Sequence, residues 1–107
     1  MDTMKKFHDS TLRILTAIKA VPPGRVSSYR DIAHAAGLPN GARQVARILH
    51  SLGEQENLPW HRIIKADGHI ALEAGNGREL QISLLRAEGV KVSRSGTVDM
   101  ERYAGNR

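Results

Sequence analysis

The sequence predicts a mainly α-helical domain carrying a small β-hairpin, built as a winged helix-turn-helix. Three observations predict it. Apolar residues recur at helical spacing in four stretches between residues 3 and 88. Two of these, 29–36 and 42–52, are short and joined by a Gly/Pro-containing turn after a longer first helix. The β-branched pair Ile63-Ile64 precedes an Asp67-Gly68 turn and a second short run, which is the pattern of a hairpin wing.

Each element has its local reason. The first helix is expected over Thr3–Val21, with Phe7, Ile14, Leu15, Ile18 and Val21 on one apolar face. Pro22-Pro23-Gly24 stops it, because proline cannot continue the hydrogen-bond ladder. Arg25-Val26 reads as extended, and Ser27 or Ser28 as the cap of a second helix over Tyr29–Ala36, ended by Gly37. Residues 38–41 form a turn. The third helix follows over Ala42–Leu52, with Val45, Ile48, Leu49 and Leu52 inward. A polar loop, residues 53–57, leads to the strand Ile63-Ile64 and a return strand over His69–Leu72. Gly75-Asn76-Gly77 breaks the chain. A fourth helix over Arg78–Glu88 turns Leu80, Leu84 and Leu85 inward and ends at Gly89. Residues 90–107 are expected to add a strand or two, with the last three frayed.

The length of 107 residues suits one domain over 1–107 and one core. There is no cysteine, which removes disulfides, zinc-thiolate sites and a cysteine nucleophile together. His8, His34, His50 and His69 have no ligand spacing, so neither a metal nor another cofactor is expected. No apolar run is long enough for a membrane span, and the first residues lack an apolar signal core. A cytoplasmic, membrane-free protein is therefore expected. Four aromatics make up the whole set, so Tyr29 and Trp60 mark particular places.

The net charge of +5 fits a nucleic-acid partner. The third helix sharpens this. At 100° per residue Arg43, Arg47 and His50 lie opposite the apolar stripe. Gly41, Ala42 and Ala46 are small enough to allow close approach to a groove. A merely solvated charged face is the plainer alternative, but here the stripe is wholly basic and lies on the second helix of a helix-turn-helix. The expected DNA contacts are Ser28, Tyr29, Gly41, Ala42, Arg43, Gln44 and Arg47.

The run VPPGRVSSYRDIAHAAGLPNGARQVARIL, followed by LPWHRII, resembles the DNA-binding, C-terminal domain of the O6-alkylguanine-DNA alkyltransferases. The match spans roughly Val21 to Gly89, and the preceding helix fits it. Where those enzymes carry Pro-Cys-His-Arg, this chain has Pro59-Trp60-His61-Arg62. Tryptophan at the nucleophile position marks the alkyltransferase-like proteins, which bind alkylated guanine without removing the alkyl group. The resemblance implies entry into the minor groove. It implies that Tyr29 crowds the 3′ phosphate of the target nucleotide and that Arg43 enters the stack in its place. His61 and Glu88 match the pair that activates the cysteine, and Arg62 the buried arginine of the motif. Tyr29, Trp60, His61, Arg62, Ala74 and Glu88 are thus the expected lesion pocket. Ala74 falls where the enzymes place a tyrosine that bonds the base, and the smaller residue leaves room for bulkier alkyl groups. No asparagine near Ser51 and Leu52 matches the one that ties the enzymes' recognition helix to the active-site loop. The enzymes' separate N-terminal domain, with its zinc site, is expected to be missing.

Alkyl transfer needs a thiolate, and an indole is no substitute. The resemblance therefore implies a non-enzymatic monomer. Its partners would be duplex DNA containing O6-alkylguanine and the damage-recognition proteins of nucleotide excision repair, and it would lie on the nucleoid when bound. Plainer roles remain for single residues. Trp60 packs into the core, His61 and Glu88 form a structural pair, Arg62 bonds backbone carbonyls, or Arg43 touches only a phosphate. Two other functions compete: a sequence-specific winged-helix regulator, and a hydrolase or glycosylase using His61, Glu88 and a water.

Overall fold

A computed structural model describes residues 7–105 of the chain. Helix α1 spans Asp9–Lys19, strand β1 Ser27–Ser28, α2 Tyr29–Ala35 and α3 Ala42–Leu52. A 3-10 turn over Trp60–Arg62 leads into strand β2, Ile63–Ile64. Helix α4 spans Arg78–Ala87 and a short α5 Met100–Tyr103. The mainly helical class with a small sheet is as expected, and so are four of the helices.

Local chemistry explains the helix ends. α1 begins later than expected, at Asp9, whose carboxylate suits the positive end of the helix dipole. Phe7 packs against the core from outside it, and the expected helical residues 3–6 lie outside those described. Ser28 caps α2, its hydroxyl accepting the N–H of Asp31 at 3.0 Å. At the far end Gly37 takes φ +76° while the N–H of Leu38 reaches the carbonyl of Ala33 and that of Gly37 the carbonyl of His34. These two bonds form the helix-ending motif that glycine permits.

The sheet departs from expectation. Ile63-Ile64 does not form a hairpin with residues 69–72. β2 pairs in parallel with β1, Ser27 opposite Ile63 and Ser28 opposite Ile64. The Asp67-Gly68 turn is present, but it supports one rung, from the Lys65 N–H to the His69 carbonyl. Residues 68–70 then bond to 96–98, through Ile70 to Gly96 and Val98 to Gly68. The isoleucines explain the choice, because alternate strand residues point to opposite faces. Ile63 enters a core built by Ile14, Leu15, Ile18, Ile32, Val45 and Ile48 from α1–α3. Ile64 enters a second built by Val26, Ile70, Leu85, Val90, Val98 and Tyr103. The small sheet partitions two apolar clusters, so both of its faces are buried.

Three further expectations change. Leu80 is 55% exposed, while Gln81 and Leu85 take the inward positions of α4. Of the segment expected to fray, Gly105 donates to the carbonyl of Val26 at 2.9 Å, while Asn106 and Arg107 lie outside the described residues. In place of a last strand the chain forms α5, capped by the carboxylate of Asp99 on the Glu101 N–H.

Candidate nucleic-acid interface

Helix α3 turns Val45 and Ile48 into the first core, with Leu49 and Leu52 half-buried beside them. The opposite face is left to Arg43, Ala46, Arg47 and His50, all exposed. The start of the helix is set by packing. A Cβ on Gly41 would lie 3.0 Å from both the Cβ and the carbonyl oxygen of Leu38, so glycine here lets α3 close against the turn. Ala42 is half-buried behind Arg43.

Two of the expected DNA contacts are spent inside the protein. Ser28 is fully buried and its hydroxyl is the cap of α2, so it has no surface to offer a phosphate. Gln44 is half-buried and donates to the hydroxyl of Ser10 at 3.3 Å, tying α3 to α1. Tyr29, the first residue of α2, is half-buried against the first core. Burial raises its phenol above the usual tyrosine value, so it stays a neutral donor at ordinary pH.

Beside this face opens a cavity of about 620 Å³. Tyr29, Ala46 and His50 line it from α2 and α3, Trp60 and Gly53 from the segment after α3, and Leu72, Asn76, Leu80 and Gln81 from α4 and the loop before it. Trp60 lies on the 3-10 turn that follows Pro59, half-exposed, outside both core clusters. Its ring meets the His61 ring edge-on, with centroids 6.1 Å apart at 85°. Gly53 sets the spacing behind it. A Cβ there would stand 2.5 Å from the carbonyl of Leu49 and 4.0 Å from the Cβ of Trp60. Ala74 is exposed on the loop, and the wall on that side is made by Ala71, Leu72, Asn76 and Gly77.

His61, Arg62 and Glu88 come together away from the cavity lining. Arg62 donates through Nε to both Glu88 oxygens, at 3.0 and 3.2 Å, and through Nη2 at 2.7 Å. Its Nη1 donates to the Val21 carbonyl at 2.9 Å. Glu88 also accepts from the Gly24 N–H at 3.1 Å and sits 2.8 Å from Nε2 of His61. Hydrogen bonds from Arg62, and less strongly from His61 and Gly24, hold its carboxyl at about 2. So weak a base, with its oxygens occupied, is poorly suited to activate a water.

Several lining residues escaped sequence reasoning, among them Leu72, Asn76, Leu80 and Gln81. Gln81 lines the cavity and is 2% exposed, its amide N–H groups directed at the carbonyls of His61 and Ile63. The available signal was its spacing of four from Leu85, which places both on one helix face.

Comparison with known proteins follows the same lines. The family model described as the DNA binding domain of 6-O-methylguanine DNA methyltransferase matches residues 9–90. The chain is similar to the DNA base-flipping protein of Escherichia coli (strain K12), 41% identical over 105 residues, 98% of this chain and 81% of that protein. It is similar to alkyltransferase-like protein 1 of Schizosaccharomyces pombe, 35% identical over 81 residues, 75% of each. Among solved structures, S. pombe Atl1 in complex with damaged DNA containing O6-carboxymethylguanine superposes with a TM-score of 0.82 over the whole of both chains, at 27% identity.

Proposed function

Because this chain belongs to the 6-O-methylguanine DNA methyltransferase family, through its DNA-binding domain, we propose that it is a non-enzymatic sensor of O6-alkylguanine in duplex DNA. It enters the minor groove with α3, turns the damaged nucleotide out of the stack and holds it against Trp60. The observation that carries this reading is the cavity beside the basic face of α3, walled by Trp60, which the resemblance sets at the position of the nucleophile. In a chain without cysteine there is no thiolate to take the alkyl group. What remains for the site is binding.

The energies are compatible. Turning a base out costs a few kcal/mol, and less when pairing is already weak. O6-alkylation removes the N1 proton of guanine and weakens its pairing with cytosine. Contact with an aromatic face contributes about 1–3 kcal/mol. The sum offsets eversion of a lesion before it offsets eversion of normal guanine. Arg43 fills the gap left in the stack, and Tyr29 lies at the first turn of α2 beside the cavity. His61, Arg62 and Glu88 act as structure, holding the 3-10 turn that carries Trp60. Since the lesion leaves the site unchanged, its removal falls to another activity. The protein, acting as a monomeric single domain, flags the site for nucleotide excision repair.

The test is a titration of two otherwise identical duplexes, one with a single O6-methylguanine, followed by mass measurement of the recovered strand. Tighter binding to the lesion with an unchanged strand is expected. Equal binding would leave a basic helix-turn-helix regulator, and a strand that lost its methyl group or base would mean an enzyme.

A further inference from the structure

The start of α1 is anchored to α3. Gln44 donates to the hydroxyl of Ser10 at 3.3 Å, and Phe7 packs against the first core. Between the two helices runs a groove of about 380 Å³, bordered by Phe7 and Thr11 on one side and by Gln44, Arg47 and Ser51 on the other. Arg47 is the shared residue. It borders this groove and also belongs to the exposed basic face of α3. The basic face of α3 is therefore continuous with the start of α1. Asp9, the acidic residue of that first turn, is paired with Arg13 at 3.3 Å. That pair borders a different groove, with Ala35 of α2.

Two more cations belong beside that junction. Lys5 and Lys6 directly precede Phe7. Residues 1–6 lie outside those described, yet covalent geometry limits where the last two can be. Consecutive Cα atoms are about 3.8 Å apart, so those of Lys6 and Lys5 fall within about 4 and 8 Å of the Phe7 Cα in any backbone conformation. A lysine ammonium on its flexible four-carbon stem reaches further still. A row of cations that prolongs a basic face matches a partner whose negative charges repeat along its length, the phosphodiester backbone. We propose that Lys5 and Lys6 contact the phosphate backbone of duplex DNA beside the stretch covered by α3, which makes the start of α1 a second, flanking part of the nucleic-acid interface. Such a contact is to phosphate and carries no lesion or sequence information. It strengthens binding to any duplex, damaged or not. The inference rests on the duplex-DNA part of the reading above and is independent of base flipping.

The experiment is a salt titration of binding to an undamaged duplex and to the same duplex with one O6-methylguanine. Each phosphate contact contributes about 0.9 to the slope of log affinity against log salt. Lys5→Gln/Lys6→Gln should lower that slope by about 1.8, so the wild-type advantage shrinks about tenfold between roughly 50 and 200 mM salt. The ratio of lesion to undamaged affinity should hold. Lys5→Arg/Lys6→Arg should keep the wild-type slope, because the contact is to charge. Lys91→Gln is the comparison. Lys91 is exposed between Val90 and Val92 of the second core, and its loss should lower the slope by much less than about 0.9. On a duplex trimmed to the footprint of the double variant, wild type and variant should no longer differ. An unchanged slope in the double variant overturns the inference. So does an equal fall per charge from Lys91→Gln, which would make the lysines part of a general field. A wild-type advantage that survives trimming overturns it as well, by placing the lysines within the stretch covered by α3. Salt-dependent binding with no lesion preference removes the base-flipping reading and leaves this inference standing. Failure to bind any duplex removes both.

Discussion

Trp60 and Arg62 stand two positions apart in one 3-10 turn, yet they face opposite kinds of surroundings. Trp60 looks onto an open cavity of about 620 Å³ and is half-exposed. Arg62 is locked to Glu88 and to the carbonyl of Val21. On one side the turn borders the cavity; on the other its side chains are bonded to the protein. A motif of four residues thus divides its labour: Trp60 offers a surface, and its neighbours hold that surface in place. On the proposed reading, the surface and its support are separate duties, which makes binding and stability separable by mutation.

The largest expected effect tests the closed side. Glu88→Ala leaves the half-buried Arg62 guanidinium with one partner, and should lower stability by about 1.5–3 kcal/mol in urea unfolding. The ratio of lesion to undamaged affinity in the folded protein should hold. A ratio that collapses with the stability would end the separation of the two sides.

Acid reads the same clamp without a cavity. The Glu88 carboxyl is lowered from 4.5 to about 2 on folding. A group with a depressed folded-state value contributes stability that is fully present above about 4.5 and lost as pH falls toward 2. Each tenfold change in proton affinity corresponds to about 1.4 kcal/mol, so the carboxylate contributes on the order of 3 kcal/mol. Unfolding curves collected across that window should fall more steeply for wild type than for Glu88→Gln. Parallel curves would mean that the carboxylate is not held as described.

On the open side, Trp60→Ala should reduce lesion affinity about tenfold or more, with little change in the urea midpoint. Loss of stability as large as that of Glu88→Ala would return Trp60 to the core. The smallest effect is the most diagnostic for α3. If Arg43 fills the stack, Arg43→Ala lowers selectivity for the lesion severalfold and leaves the salt dependence unchanged. A fall of about 0.9 in the log–log salt slope at constant selectivity makes it a phosphate contact instead.

The helices were legible because their signals are local. Ser28 as cap, Gly37 as stop and the apolar stripe of α3 each act within a few residues. The parallel pairing of β1 with β2 was not, because turn chemistry at Asp67-Gly68 says nothing about a partner two helices away. The same limit explains the site. Pro59-Trp60-His61-Arg62 and the basic face of α3 could be read in order along the chain. The burial of Ser28, the bond from Gln44 to Ser10 and the inward turn of Gln81 depend on how helices rotate against one another. A polar side chain carries no mark that says whether it will face water or a neighbour.

The short parallel pair has a kinetic consequence. β1 ends at the cap of α2 and β2 begins at the end of the 3-10 turn, so its few hydrogen bonds join two sides of the cavity. Forming them closes a long loop, whose entropy must be overcome before the contacts can repay it. Early in folding the helices can exist while this seam is still open. The tryptophan wall and the basic helix α3 would then take their final spacing together, at the last closure. A cut in the turn between α2 and α3, which makes that closure intermolecular, is expected to weaken lesion binding even with every helix still formed.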